Sequence, residues 1–261
     1  MLNPKNILIT GGSSGIGEAL ALHYAQKNVT LFLSGRNSDR LNDVAIECRK
    51  KGAEVETALV DVTDQEAMYN WIISANEEAP LDLVIANAGI SGGSAGRLDG
   101  EPINEARKIF NVNVTGVFNT VEPAIKIFKD VQAPKQIAIV SSLAGFRGWP
   151  SAPSYSASKG AVRFYGEALR GSLAKNTRIQ VNVICPGFVK SRITAQNDFP
   201  MPFIMDGEKA ASIIAKGLSK NKGRICFPLP VHFTSWFISI LPDFLAQKIL
   251  AKSPAKTALT E

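Results

Sequence analysis

The chain has 261 residues, of which 45% are hydrophobic and 20% charged, a composition that suits one α/β domain with a large core. Its formal net charge is +6, but lysine and arginine are spread along the chain and do not cluster. This dispersion favours a mildly basic surface or an anionic ligand, and it argues against a nucleic-acid-binding groove.

The three cysteines, Cys48, Cys185 and Cys226, are odd in number and far apart in the sequence. They predict neither a disulfide framework nor a metal-binding knuckle, and the two histidines cannot complete a metal site. We therefore expect no metal and a reducing, cytoplasmic compartment. The apolar stretch 7–9 is too short for the core of a signal peptide, so we expect none.

The first predicted elements are a strand at 7–10 and a helix at 18–27, joined by a glycine-rich turn. Glycines let the backbone approach a phosphate closely, and a helix N-terminus attracts an anion. The turn therefore predicts nucleotide binding, the alternative being a flexible Gly/Ser loop. Its spacing, Gly-x-x-x-Gly-x-Gly, differs from the common Gly-x-Gly-x-x-Gly fingerprint. The candidate cofactor-binding residues in it are Gly11, Ser13, Ser14, Gly15, Ile16 and Gly17.

The second predicted strand, 29–34, is followed by Gly35 and Arg36. In dinucleotide-binding folds an acidic residue at this point binds the ribose hydroxyls of the adenosine. Here the position holds Gly35, and the neighbouring guanidinium of Arg36 suits a 2′-phosphate. The sequence thus favours NADP(H), with NAD(H) possible, and the alternative is that Arg36 is a surface residue capping the turn.

Strands and helices continue to alternate, with helices at 39–51 and 64–76 and strands at 54–60 and 81–86. Such alternation predicts a doubly wound parallel sheet, of about seven strands over the whole chain, with helices on both faces and the ligand at the strand C-terminal ends. Asp64 is a plausible N-terminal acid of its helix. Asp61 and Asn87 each follow a strand, and each is either a cofactor contact or a turn residue.

The stretch 103–128 reads as a long helix, yet it contains Asn111, Asn113 and Gly116 near its middle. These residues are poor helix formers. Either the helix kinks there and exposes backbone groups, or a loop separates two shorter helices. The sequence leaves both possibilities open.

The next strand, 136–140, leads into Ser141 and Ser142, and the helix predicted at 153–173 carries Tyr155 and Lys159. A spacing of four places the tyrosine and the lysine side by side on one helix face. A lysine ammonium one turn away favours the phenolate and would lower the pKa of the tyrosine from its usual value near 10. Taken alone, the pair could equally be two exposed residues on an ordinary helix.

Together these motifs resemble the short-chain dehydrogenase/reductase superfamily of single-domain Rossmann oxidoreductases. They occur in the family's order between residues 10 and 191. Three mild departures are Ala86 before the Asn-Ala-Gly motif, Ser191 where threonine is frequent, and Ser14 where many NADPH-binding members carry a basic residue. The motifs are Thr-Gly-x-x-x-Gly-Ile-Gly at 10–17, Asn-Ala-Gly at 87–89, Asn113 followed by Gly116, Ser142, Tyr155-x-x-x-Lys159, and Pro186-Gly187 after a strand at 179–184.

The resemblance implies a catalytic tetrad of Asn113, Ser142, Tyr155 and Lys159. Ser142 would hydrogen-bond the substrate oxygen and Tyr155 would donate the proton during carbonyl reduction. Lys159 would hold the nicotinamide ribose, and Asn113 would position a water that links the lysine to solvent.

The same resemblance assigns the remaining cofactor contacts. The glycine turn would meet the pyrophosphate, Asp61 and Val62 would face the adenine, and Asn87 would support the central strands. The residues implied near the nicotinamide and along the central strands are Ala88, Gly89, Pro186, Gly187, Val189 and Ser191.

The predicted substrate side is apolar. Phe188, Met201 and Phe203 lie in an apolar lid segment at about 188–206, and Phe146 and Trp149 follow the catalytic serine. This predicts a small apolar carbonyl or alcohol substrate, the alternative being that these aromatic residues belong to the core.

The C-terminal segment, about 228–261, is apolar but too short and too interrupted by prolines to span a bilayer. Its aromatic residues lie beside Lys248, Lys252 and Lys256, so it could touch a membrane surface, seal the substrate pocket or form a dimer interface. We thus predict one domain at 1–261, a homodimer or homotetramer that reduces ketones or aldehydes with NADPH and, in reverse, oxidises secondary alcohols. A catalytically silent cofactor-binding scaffold is the competing interpretation, and the complete tetrad argues against it.

Overall fold

A computed structural model describes residues 3–94, 100–175, 178–195, 197, 199–252 and 254. Within these residues it contains one sheet of seven parallel strands in the order β3-β2-β1-β4-β5-β6-β7. The doubly wound sheet predicted from the alternation is thereby confirmed. The strands are β1 (Asn6–Thr10), β2 (Thr30–Gly35), β3 (Glu54–Leu59), β4 (Leu83–Ala86), β5 (Lys135–Val140), β6 (Ile179–Pro186) and β7 (Arg224–Phe227).

Helices cover both faces of the sheet, since the central strands are apolar on both sides. Ile7 and Ile9 of β1 face one layer, which includes α1, α2 and α8, while Leu8 faces the other layer, which includes α3, α5 and α6. The described helices are α1 (Gly15–Tyr24), α2 (Ser38–Lys50), α3 (Gln65–Glu78), α4 (Ile103–Phe110), α5 (Gly116–Phe128), α6 (Pro153–Leu173), α7 (Arg192–Ala195), α8 (Gly207–Ser219), α9 (Leu229–Ile240) and α10 (Asp243–Leu250).

Two side chains fix the starts of helices beside the ligand edge. The Oδ1 atom of Asn37 accepts a hydrogen bond from the amide of Arg40 at 2.9 Å and caps α2. Asp64 caps α3 by accepting from the amide of Ala67 at 3.0 Å, as its predicted place at the helix start suggested. Each cap satisfies one of the free N–H groups of the first turn.

The long helical stretch is continuous but changes its winding. A π-helical turn, Asn111–Thr115, joins α4 to α5, so the kinked helix is correct and the loop between two helices is not. Extra residues in a helical turn of this kind frequently mark functional sites. Gly116 follows the turn where the chain passes Val62, and a Cβ on it would lie 2.6 Å from Val62 Cγ2. Close packing against Val62 thus accounts for a glycine in mid-helix.

The order in which strands are added to the sheet reverses at β1, which pairs with β2 on one side and with β4 on the other. At such a switch point the connections leave in opposite directions and open a crevice outside the strand C-terminal ends. The segments that follow β1, β4 and β5 all begin at this edge. The glycine turn, the Asn-Ala-Gly motif and Ser142 therefore converge there.

The C-terminal helices α9 and α10 pack on each other through Ile238, Ala246 and Leu250. Among the described residues there is no helix whose length and apolar character would allow it to cross a bilayer. Lys256, part of the predicted basic flank, lies outside the described residues.

Candidate active site

The glycine turn after β1 forms a tight backbone cradle. Gly11 and Gly15 have φ angles of +66° and +60°, a left-handed conformation that strongly favours glycine. A Cβ on Gly17 would lie 2.2 Å from the carbonyl oxygen of Gly11, so α1 begins in direct contact with the turn. Only glycine fits at this position, and the backbone stays open to a ligand.

Thr10 and Asn87 hold the cradle against β4. Thr10 Oγ1 accepts hydrogen bonds from the amides of Asn87 and Ala88 at 3.0 and 3.1 Å. Asn87 Nδ2 donates to the carbonyl oxygens of Thr10 and Gly11 at 2.9 and 3.2 Å. Asn87 thus serves as a structural brace between two strand ends, a role that the sequence left open.

The N-terminus of α1 points into the same crevice. Ser14 is its cap residue but makes no side-chain capping hydrogen bond within the described part of the chain. Free amides at a helix N-terminus, together with the helix dipole, form a site for an anion. The cradle therefore fits the pyrophosphate of a dinucleotide.

Gly35 lies at the end of β2 and packs against the glycine turn. A Cβ on it would lie 2.9 Å from Ser13 Oγ, so a larger residue would require the serine to move. Arg36 follows immediately and is exposed at this edge. The position where an acid would bind a ribose diol is therefore held by a residue without a side chain, Gly35, and the next residue, Arg36, has an exposed side chain.

Asp61 forms a local turn after β3. Its Oδ1 atom accepts from both the amide and the hydroxyl of Thr63 at 2.9 Å. Val62 beside it is buried, and its carbonyl oxygen accepts from Asn119 Nδ2 at 2.9 Å. Asp61 thus forms a turn that fixes the adjacent valine, and its contact with the adenine stays a prediction.

Lys159 is buried at the end of β5. Its Nζ atom donates to the carbonyl oxygen of Val140 at 3.0 Å and lies 3.2 Å from the position of a Cβ on Gly89. Burial disfavours the ammonium and lowers the pKa of Lys159 to about 8. A Cβ on Gly145 would lie 2.7 Å from the carbonyl carbon of Lys159, so the segment after Ser142 packs directly on this helical turn.

Tyr155 is hydrogen-bonded to Ser142 across the crevice. Burial raises the pKa of Tyr155 above its ordinary value, while the hydrogen bond with Ser142 lowers it by less. Desolvation of the phenolate is the largest influence on the pKa of Tyr155 in the chain alone, and the expectation that Lys159 lowers this pKa stays a prediction. The two side chains predicted to share the substrate oxygen are nevertheless in contact.

Asn113 is fully buried in the π turn. Its Oδ1 accepts from the amide of Ile90 at 2.8 Å, and its Nδ2 donates to the carbonyl oxygen of Ile90 and to Ser158 Oγ, both at 3.0 Å. The side chain therefore pins the segment after Gly89 to the helix of Tyr155. The expected role of Asn113 in positioning a water stays a prediction.

The segment after β6 begins with Pro186 and Gly187. The amide of Gly187 donates to the carbonyl oxygen of Phe227 at 2.7 Å, which ties this segment to β7. Val189 forms an isolated parallel bridge with Met205 and so closes the base of the predicted lid. The Cβ of Ser191 lies 3.0 Å from the position of a Cβ on Gly15, so the lid base reaches the glycine turn.

The aromatic residues predicted to line the substrate site lie in different surroundings. Phe146 is buried, with the guanidinium of Arg163 4.6 Å from its ring centroid and the ring of His232 at 5.5 Å. Trp149 packs against the cluster of α9 and α10. Both side chains thus have protein neighbours, although the buried Nε1 of Trp149 has no hydrogen-bond partner among the described residues, and their contact with substrate stays a prediction.

The lid residues present a partly open apolar surface. The rings of Phe188 and Phe199 meet edge to face at 6.0 Å between centroids. The sulfur of Met201 is 3.4 Å from Asn197 Nδ2. Phe203 is 61% exposed and has a φ angle of +58°, which costs a residue with a bulky side chain about 1 kcal/mol or more.

Three residues at the site were missed by the sequence reasoning. Thr10 braces the cradle, Ser158 accepts from Asn113, and Thr194 holds the lid base by donating to the carbonyl oxygen of Val189 at 2.9 Å. Thr10 and Ser158 lie inside motifs that the sequence singled out. Nothing in the local pattern marks Thr194, which was predicted neither as a turn nor as a cap.

The fold brings the hydroxyl groups of Tyr155 and Ser142 and the buried amine of Lys159 to the same edge of the sheet as the glycine turn. Comparison with known proteins agrees with this arrangement. The family model described as short chain dehydrogenase matches residues 5–200. A protein of Myxococcus xanthus, described as an uncharacterized oxidoreductase, is 37% identical over 241 residues, covering 92% of this chain and 93% of that protein.

Two further comparisons extend the likeness. An 11-beta-hydroxysteroid dehydrogenase-like protein of Arabidopsis thaliana is 30% identical over 256 residues, covering 95% of this chain and 84% of that protein. A short-chain type dehydrogenase/reductase from Mycobacterium marinum has a TM-score of 0.76 at 26% identity, covering 85% of this chain and 93% of that one. A Burkholderia phymatum protein of the same class, solved in complex with NAD, has a TM-score of 0.82 at 23% identity over the full length of both chains, and it supports the fold.

Proposed function

The chain belongs to the short-chain dehydrogenase family of oxidoreductases, and we propose that it reduces apolar ketones or aldehydes with NADPH and oxidises the corresponding alcohols in reverse. The observation that carries this proposal is the contact between Ser142 and Tyr155 at the open end of the glycine cradle, with Lys159 buried beside them. The family and the relatives establish an oxidoreductase acting on the CH–OH/C=O pair. The roles below go further.

Different residues of the chain would hold different parts of the cofactor. The cradle around Gly11, Gly15 and Gly17 takes the pyrophosphate, Val62 borders the adenine, and Pro186 and Gly187 border the nicotinamide. When bound, the nicotinamide supplies or accepts the hydride. The protein's part is to orient the reactants and move the proton.

The proton transfer is assigned to Tyr155. In reduction its hydroxyl donates a proton to the substrate oxygen, and Ser142 donates a second hydrogen bond to that oxygen and orients it. Lys159 holds the cofactor ribose and provides positive charge near the phenolate once the proton has left. Asn113 fixes Ile90 with its side chain and would position the water that relays a proton back from solvent.

The preference for NADPH is supported by the end of β2. Gly35 offers no carboxylate to a ribose diol, and Ser13 leaves no room for a larger side chain at this position. The exposed Arg36 can pair with a 2′-phosphate. The Burkholderia phymatum protein was solved with NAD, so both cofactors belong in the assay.

The substrate class is inferred from the walls of the crevice. Phe188, Phe199 and Met201 make the segment after Pro186-Gly187 apolar, and the name of the Arabidopsis relative refers to a bulky apolar hydroxysteroid. A panel of ketones, aldehydes and secondary alcohols of graded chain length, assayed with NADPH and NADH, tests the proposal. We expect kcat/KM with NADPH to rise with apolar chain length, and a protein that binds NADPH but turns over no carbonyl would instead be a cofactor-binding scaffold.

We also propose that the chain assembles into a homodimer or homotetramer through α4, α5 and α6. Phe110, Phe118 and Phe164 on this side are 41%, 41% and 63% exposed, which is unusual for large apolar side chains. Light scattering of the wild type and of Phe164→Ser tests this, and an unchanged mass for the two would contradict it.

A second exposed apolar face lies on α9 and α10, and we propose that it rests on a membrane surface. On α9 the exposed residues recur at helical spacing, and Asp243, the single acid of the two helices, is paired with Arg147 at 2.7 Å, which leaves Lys248 and Lys252 unmatched by a carboxylate on these helices. Such a face suits the interface of an anionic bilayer. The exposed residues are Leu229, Phe233, Trp236, Phe237, Ile240, Phe244, Leu245 and Ile249.

Co-sedimentation with vesicles of phosphatidylcholine and phosphatidylglycerol tests this contact. We expect the wild type to bind and Phe233→Ser/Phe237→Ser/Phe244→Ser to lose most of the binding. Leu59→Ser, which removes a similarly exposed side chain at the opposite part of the sheet, is the matched control. No sedimentation of the wild type would contradict the proposal.

A further inference from the structure

The fold brings together two cysteines that are far apart in sequence. Cys185 of β6 and Cys226 of β7 are partners in the register of these neighbouring parallel strands, and the two thiols are hydrogen-bonded. Partners in register point to the same face of a sheet. Both are free thiols, and the third cysteine, Cys48, belongs to α2 and is buried in a different apolar cluster.

The two thiols differ in their surroundings. Cys185 is fully buried, whereas Cys226 is partly exposed on the edge strand β7. The thiol of Cys185 donates to Cys226 and lowers the pKa of Cys226, and the guanidinium groups of Arg224 and Arg163 act in the same direction. Burial and the carboxylate of Glu167 oppose them, and the pKa of Cys185 is raised.

We propose that Cys226 and Cys185 form a peroxide-sensitive modification site that closes to a reversible disulfide. The Cys226 thiolate attacks a hydroperoxide, the O–O bond breaks, and the sulfur is oxidised to a sulfenic acid while the peroxide is reduced to water or an alcohol. The Cys185 thiol then attacks that sulfur, the S–O bond breaks and water leaves, so that one S–S bond replaces two thiols. Two electrons pass to one hydroperoxide, and a dithiol returns them on reduction.

Closure of this disulfide would act on the nicotinamide wall, an effect that rests on the proposed function. Neighbouring strands are about 4.7–4.9 Å apart, which lies within the Cα separation of about 4.4–6.8 Å that a disulfide accepts, while the Cβ atoms must approach to about 3.5–4.5 Å. The bond therefore reorients Cys185 and Cys226 directly before Pro186-Gly187 and Phe227-Pro228. These segments are joined by the 2.7 Å hydrogen bond from Gly187 to Phe227, and a Cβ on Gly187 would lie 3.1 Å from Pro228 Cδ.

The experiment treats the purified, fully reduced chain with a small excess of hydrogen peroxide and follows mass and cofactor binding separately. Peptide mapping without reduction is expected to find the Cys185–Cys226 link, and dithiothreitol is expected to remove it. Cys48→Ser is the matched control and should behave as the wild type. In Cys185→Ser, dimedone should label Cys226 as a trapped sulfenic acid.

Binding of NADPH is then measured before and after oxidation. We expect the Kd for NADPH to rise by about tenfold or more in the wild type and in Cys48→Ser, to recover with dithiothreitol, and to remain unchanged in Cys226→Ser. If the peptide map shows that both thiols remain free after peroxide treatment, or that Cys226 is linked to another chain, the proposed modification site is wrong. A disulfide that forms without changing the Kd overturns its effect on the cofactor, and because the mass readout needs no turnover, a failure of the proposed reductase activity would be seen separately.

Discussion

Asn113 Nδ2 donates to Ser158 Oγ at 3.0 Å, and this bond ties the π turn to the helix of Tyr155 and Lys159. Ser158 in turn donates to the carbonyl oxygen of Tyr155 at 2.8 Å. The amide of Asn113 also holds Ile90, next to the Gly89 that borders Lys159. Three segments distant in sequence are therefore fixed at the catalytic centre by one buried side chain.

Replacing Ser158 should weaken this connection. In Ser158→Ala the buried Nδ2 of Asn113 loses one acceptor, so we expect a loss of about 1–2 kcal/mol in the free energy of unfolding, together with a lower kcat. Ser172→Ala changes an exposed serine of the same helix and serves as the control. Urea unfolding curves compare them, and equal stability of the two variants would contradict the connection.

Gly89 is expected to be intolerant of a side chain. A Cβ on it would lie 3.1 Å from Asn113 Oδ1 and 3.2 Å from Lys159 Nζ, so Gly89→Ala should displace the lysine by a few tenths of an ångström. We expect kcat to fall by about tenfold, since small misplacements of catalytic groups are costly. Gly171→Ala is the control because the added methyl group meets nothing within 4 Å. Wild-type kcat in Gly89→Ala would refute the close contact.

The buried ammonium of Lys159 should make stability depend on pH. Its pKa is about 8 in the folded chain against an ordinary value of 10.5, so the unfolded chain binds this proton more tightly. The cost of burying the ammonium destabilises the folded chain fully below pH 8, and it disappears as the pH rises from 8 to 10.5. The free energy of unfolding should therefore rise by on the order of 3 kcal/mol across this range. Removing the ammonium in Lys159→Met should abolish this rise.

Unfolding free energies of the cofactor-free protein between pH 7 and 10.5 provide the measurement. The difference between wild type and Lys159→Met should change across this window, and Lys175→Met, which replaces an exposed lysine, is the control. Parallel curves for wild type and Lys159→Met would show that the ammonium is not desolvated.

Arg36 should discriminate between the cofactors. Loss of a charge-assisted hydrogen bond to a 2′-phosphate in Arg36→Ala should weaken NADPH binding by about 1.5–3 kcal/mol and leave NADH binding nearly unchanged. Arg178→Ala, an exposed arginine before β6 and so at the opposite edge of the sheet, is the control. Equal losses for NADPH and NADH would contradict the assignment.

Most of the fold could be predicted because its signals are local. A few neighbouring residues are enough to specify an apolar strand, a helix cap such as Asp64, or the glycine turn. The π turn was predicted only as one of two possibilities, because two asparagines and a glycine weaken a helix without indicating what replaces it. The glycine that follows the turn is explained by the contact of Gly116 with Val62, which lies more than fifty residues away in the sequence.

The sequence named side chains that the fold brings to one edge of the sheet, but it did not predict all their connections. Tyr155 and Lys159 share a helix face as their spacing requires, yet burial sets the pKa of Tyr155, and burial depends on packing across the crevice. The pairing of Cys185 with Cys226 likewise arises from the register of β6 and β7, and the distance between them in sequence carries no sign of it.

The central claim is that Tyr155 transfers the proton, and Tyr155→Phe tests it most directly. The variant keeps the ring and removes the hydroxyl that contacts Ser142, so NADPH should bind with nearly wild-type Kd while kcat for carbonyl reduction falls by about 10²-fold or more. Tyr165→Phe, on the same helix, should retain activity. Paired measurements of Kd and kcat give the answer: intact binding with lost turnover is the result we predict, and turnover within a few-fold of the wild type would contradict the account.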